Sequence, residues 1–188
     1  IKGFKTTLQK EAILSKRKSF FRGKEGSSSK IYFSAVSAGL PKQYSFATRS
    51  RMPAKDMFNC ALNYTLGILS TRIEASLISA GIDPYIGIFH SDEYNKPVLV
   101  YDFMEYFRHW AEISVITLAV KNMLVTRMFE VRKGNAYWLN KRGKEHIVPE
   151  FDNFMSEKCR DKRKPKIRYQ IIQDKTLEFA RFLKKYKQ

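Results

Sequence analysis

The chain has 188 residues, 44% of them hydrophobic and 14% aromatic, which is enough apolar material for one sizeable core and excludes a disordered basic tail. Thirty-five Lys and Arg against eighteen Asp and Glu give a formal charge of +17, which predicts attraction to polyanions, nucleic acid first. Two distant cysteines, Cys60 and Cys159, support neither a disulfide framework nor a zinc site, and the sequence shows neither a long apolar run nor a signal-peptide core, so a soluble cytoplasmic protein without membrane association is expected.

The charge is unevenly placed. Residues 1–30 carry a net +7 and residues 156–188 a net +8, leaving +2 for the whole middle of the chain. Basic flanks around a near-neutral centre suit phosphate attraction at the edges of a site whose interior can hold cations.

In chain order, Leu8 to Phe21 reads as a helix with a solvated basic face. In KEGSSSKIYF, helical spacing would put Glu25, Ser28 and Tyr32 on one side. GLPKQYSFATRSRMPAKD, residues 39–56, reads as a long basic loop, either functional or a mobile surface connection. Asp56 to Ala80 is the clearest helix, with Leu62, Leu66, Leu69, Ile73 and Leu77 on one buried face and Gly81 and Pro84 as the stop. A turn and a short apolar run lead to His90, and Pro97 opens a second long helix through residues 98–123. Lys133-Gly134-Asn135 marks a turn or short hairpin before another helix start. The run from Lys158 to Arg168 reads as solvated or disordered, with generic DNA attraction as the lesser reading. The last segment is an amphipathic helix through Ile171, Ile172, Leu177, Phe179, Ala180 and Leu183. With no repeat or linker, the whole of 1–188 is expected to be one all-α, mostly helical domain.

On the second long helix, Asp102, Glu105 and Arg108 fall three apart and line one stripe, while Phe103, Met104 and Phe107 can face the core. Two hard oxygen ligands with the nearby His90 imidazole suit Mg2+ or Mn2+, and the imidazole tilts the preference toward Mn2+. An ordinary surface salt-bridge stripe has the same spacing. Periodicity leaves both readings open.

Three runs, KEGSSSKIYFSAV, YSFATRSRMPAKDMFNCALNYTLGILSTRIEASLISAGIDPYIGIFH and PVLVYDFMEYFR, resemble in order and spacing the CRISPR-associated spacer-acquisition integrase, the Cas-one family. The resemblance extends weakly through GNAYWLNKRGKEHIVPEF and so covers most of the chain. It implies the family's helical catalytic domain, with the β-rich N-terminal domain of a longer parent lying outside these residues. It further implies a metal-dependent DNA endonuclease and integrase of adaptive immunity. A free 3′-hydroxyl of a short duplex would attack a phosphodiester at the repeat boundary.

The metal-holding glutamate of the family then falls on Glu25, its histidine on His90 and its second acid on Glu105, with Asp102 a further catalytic acid whose direct ligation is open. Arg49, Arg51 and Lys55, in the R-x-R-x-P-like segment, are candidates for DNA phosphate contacts. Arg108 is either another such contact or the neutralising partner of Glu105 or Asp102. Arg22 and Lys24 are weaker candidates. Implied partners are spacer and repeat DNA, a second copy of the full-length protein and the Cas-two protein. The chain departs from the family where Pro commonly follows the F-R pair, having His109 there, which is expected to be structural. A casposon-type mobile-element integrase would use the same residues, and a non-catalytic DNA-binding scaffold is the reading from outside enzymology.

Overall fold

In the computed structural model the described residues are 26–88, 95–161 and 164–185, and all that follows refers to these. The expected helix over 8–21, together with Glu25, His90, Arg22 and Lys24, lies outside them. Five helices dominate: α1 (residues 26–39), α2 (Met57–Ser79), α3 (Val98–Val120), α4 (Lys141–Ser156) and α5 (Arg168–Lys185). Two short antiparallel hairpins complete the fold, β1 (Phe129–Arg132) with β2 (Ala136–Leu139) and β3 (Lys158–Asp161) with β4 (Lys164–Ile167). The expected mostly helical architecture is what forms, and no helix of the described residues is long and apolar enough to cross a membrane.

The local chemistry explains each boundary. Asp56 caps α2, its side chain accepting from the Asn59 backbone N–H at 2.7 Å. At the other end Gly81 takes φ +73°, and the N–H groups of Gly81 and Ile82 return to the carbonyls of Ile78 and Leu77 in a Schellman closure. α3 ends the same way on Asn122, φ +56°, with Met123 N–H bonded to Leu118. The three-residue turn Lys133–Asn135 places Gly134 and Asn135 at positive φ, which sets the register Arg132↔Ala136.

α2 packs along α3, and α4 and α5 close over the pair. Phe58, Leu62, Leu69, Ile73 and Leu77 of α2 meet Phe107, Ala111 and Val115 of α3 and Ile147 and Phe151 of α4 in one buried core. Leu66 is only partly buried.

Two expectations are refined. The run from Lys158 to Arg168 is not disordered where described but pairs as the β3–β4 hairpin, with Lys158, Arg160, Lys164 and Pro165 exposed as the solvated alternative expects. Two of its charges are matched locally: Lys166 binds Asp174 at 2.5 Å and Asp161 at 3.7 Å, and Arg168 binds Glu157 at 3.2 Å. On α5, Ile171 and Ile172 are buried and Phe179 packs on Phe103 of α3, but Leu177 and Leu183 of the expected apolar face are exposed.

Candidate catalytic and nucleic-acid site

The stripe on α3 is present as the spacing predicts. Arg108 Nη1 donates to both oxygens of Glu105, at 3.0 and 2.8 Å, while its Nε donates to Glu112 one turn further on at 3.2 Å. Burial alone would lower the Arg108 pKa, but the bonds and charges of the two glutamates outweigh it and the net shift is upward. Asp102, a turn before Glu105, accepts the Ile88 backbone N–H at 2.7 Å and so ties the chain leading toward His90 to the stripe. Phe107 is fully buried and Phe103 and Met104 partly so, which fixes the face that the acids occupy.

Glu112 was not among the expected residues. It is 5% exposed and accepts a second bond, from the Tyr32 hydroxyl of α1 at 2.9 Å. Burial, with the Glu112 charge and hydrogen bond behind it, pushes the Tyr32 phenol up to about 12. The i, i+4 spacing of Arg108 and Glu112 was visible in the sequence. The Tyr32 partner, eighty positions away, was not.

Of the basic loop expected over 39–56, Gly39 ends α1 and the remainder packs on the fold with specific contacts. Tyr44 and Phe46 are buried, and the Tyr44 hydroxyl donates to the Leu124 carbonyl at 3.0 Å. Asn59, with no exposed surface, organises the rest: it accepts from Arg49 Nη1 at 2.9 Å and from Ser50 N–H at 3.2 Å. Its amide donates to the Thr48 carbonyl at 3.1 Å and to Asp56 at 2.7 Å. Arg49 therefore points inward, its guanidinium over the Phe33 ring, and burial first and the charges of Arg51 and Arg108 next bring its pKa down to about 10. Arg51 is exposed and its backbone carbonyl accepts from Asn63. Lys55 is exposed but reaches the β1–β2 turn, donating to the Gly134 carbonyl at 2.9 Å, next to the backbone bridge of Ala54 and Tyr137.

Beside the stripe lies an open groove of about 460 Å³ between α3 and α5, with Asp102, Tyr106 and Lys175 on its walls. His109 sits next to Trp110 with its ring pKa lowered by burial against the pull of Glu112. Asp102 and Glu105 offer hard oxygen donors of the kind a divalent cation takes. Among the described residues no three His, Cys, Asp or Glu converge as a metal centre, and Glu25 and His90 lie outside them.

The family model described as CRISPR associated protein Cas1 matches residues 3–153. The chain belongs to the Cas1 family. A protein of Thermus thermophilus named CRISPR-associated endonuclease Cas1 3 is 36% identical over 121 residues, covering 62% of this chain and 36% of that protein. Among solved structures, a casposase bound to integration product superposes with a TM-score of 0.82 at 28% identity, covering 88% of this chain and 48% of the casposase. A Cas6-RT-Cas1–Cas2 complex gives 0.77 at 26% identity, covering 87% of this chain and 18% of that one. The chain thus spans less than half the length of each of these proteins.

Proposed function

We propose that this chain carries the DNA strand-transfer centre of a Cas1-type integrase. The observation that supports it best is the pair Asp102 and Glu105, one turn apart on α3, beside Arg108 and a basic loop that is fastened to the head of α2. A 3′-hydroxyl oxygen bonds to a target phosphorus as the bond from that phosphorus to its own 3′-oxygen breaks. Phosphodiesters are conserved in number, so no external energy source is required.

Glu25, His90 and Glu105, with Asp102 alongside, would hold Mg2+ or Mn2+, which when bound supplies the charge that activates the hydroxyl and stabilises the leaving oxygen. The chain's own contribution is position. The exposed Arg51 presents charge to the DNA backbone from a fixed loop, Arg108 orients Glu105, and Asp102 holds the approach from residue 88. Arg49 supports the loop from inside. Lys55 reaches phosphate only by leaving the Gly134 carbonyl.

The natural partners under this reading are spacer and repeat DNA, a second copy of the full-length protein, and the Cas2 protein, the last supported by the likeness to a complex that contains Cas1 and Cas2. A second reading, integration of a mobile element by a casposon-type enzyme, is supported by the likeness to the casposase. The test is to incubate the complete protein with Mn2+, a labelled duplex ending in 3′-hydroxyls, and target DNA carrying either a repeat junction or transposon ends. Joined product at the repeat junction supports the first reading and at transposon ends the second. Absence of joining on both overturns the proposal.

A further inference from the structure

Along α3 the burial of three linked side chains falls in order. Counting side chains alone, Glu112 is 7% exposed, Arg108 23% and Glu105 48%. The chain of contacts therefore runs from a carboxylate fixed inside the protein, through a guanidinium, to a carboxylate at the surface. A second contact enters at the buried end, from Tyr32 of α1.

We infer that Glu112 is a positioning residue: through Arg108 it holds the Glu105 carboxylate in place on the stripe, and through Tyr32 it fastens α1 to the same turn of α3. The inference rests on the strand-transfer reading above.

The guanidinium is planar and rigid, so a bond that fixes Nε also fixes the direction of Nη1. Glu112 takes Nε, and Nη1 then meets both oxygens of Glu105. Held by an exposed carboxylate alone, an arginine of this kind samples many geometries and its ion pair contributes little. An acid buried among helices is also a poor choice for packing, because desolvation of its charge is offset only by well-made bonds, and an apolar residue of similar volume serves a core as well or better. What the buried acid adds is direction. Its charge further favours the Arg49 guanidinium, which Arg108 and Arg51 oppose, so the same residue reconciles the arginines gathered behind the site.

Glu112→Gln keeps the shape and one acceptor but removes the charge. In the complete protein, strand transfer at saturating DNA should fall by about tenfold or more, the size expected when a reacting group loses its alignment, with KM for DNA changed less than about twofold. The melting temperature should fall by no more than about 12 °C, the loss of one charge-assisted hydrogen bond in a chain of this length, and the Arg108 Nε–H, identified by its loss in Arg108→Lys, should exchange with solvent faster by NMR. Arg108→Lys, whose single ammonium cannot span both glutamates, should show the same loss. The double variant should be no slower than the slower single one, because both break one connection.

Wild-type turnover in Glu112→Gln, or losses that multiply in the double variant, overturns the inference. Should Glu112→Gln fail to fold, Arg108→Lys alone decides, by its rate measured well below its own melting temperature. Glu105→Ala separates the two levels. If it abolishes transfer while Glu112→Gln turns over at the wild-type rate, the positioning role fails and the strand-transfer reading stands, whereas full activity of Glu105→Ala sinks both.

Discussion

Replacing Asn59 by Leu should unfasten the basic loop from α2. The Asn59 side chain has no exposed surface and makes four hydrogen bonds, to Arg49, Ser50, Thr48 and Asp56. Two of the partners are neutral backbone groups, worth about 1 kcal/mol net each, and two are charged side chains, worth about 1.5–3 kcal/mol each. The simple total is about 5–8 kcal/mol. The partners are only part-buried and water recovers some of this, so the expected loss is about 3–4 kcal/mol, a large share of the about 5–15 kcal/mol that holds a domain together. At about 2–4 °C per kcal/mol for a chain of this length, the melting temperature should drop by roughly 6–16 °C. Urea unfolding followed by circular dichroism measures the loss directly, and DNA affinity at fixed salt reports whether the loop has lost its shape. A loss below about 1 kcal/mol with unaltered DNA affinity would refute the assignment of Asn59 as the organiser of this loop, since a single unsatisfied buried group already costs that much.

The two loop arginines should separate in their effects: Arg51→Ala lowers the slope of log affinity against log salt by about one with stability unchanged, whereas Arg49→Ala lowers the unfolding midpoint. Gly143→Ala should destabilise by about 1–3 kcal/mol, because a Cβ there would lie 2.5 Å from Leu139 Cδ2 and 2.6 Å from the Met128 carbonyl oxygen; thermal unfolding checks it. Tyr32 and Tyr169 both have phenols raised to about 12, mainly by burial. The unfolded chain gives up these protons near pH 10 and the folded one later, so their contribution is complete below pH 10 and is lost as pH rises toward 12. Ultraviolet titration of tyrosinate alongside unfolding midpoints should show that fall, and Tyr32→Phe should reduce it.

Much of the frame could be read from the sequence because its causes are local. Leucines at helical spacing, the Gly81 stop and the turn at Lys133-Gly134-Asn135 each act within a few residues, and both ends of α2 lie within one residue of their expected places. The stripe of Asp102, Glu105 and Arg108 was legible for the same reason. Glu112 and Asn59 were not, since what gives them meaning is burial and partners such as Tyr32, set by how α1 and the basic loop pack. Arg49 looked like its neighbour Arg51, and only the fold turns one inward and leaves the other exposed. The hairpin at β3–β4 was hidden by composition. Its basic run suggested solvent or disorder; Glu157 and Asp174, which flank it in sequence, pair with Arg168 and Lys166, while Lys158, Arg160 and Lys164 stay exposed.

The central claim is that the acids on α3 serve DNA strand transfer. Its most direct test compares the complete protein with its Glu105→Ala variant in Mn2+, with a duplex donor and a repeat-containing target, scoring joined DNA. The account predicts that the variant binds DNA with near wild-type affinity and joins none. Equal product from both proteins would contradict it.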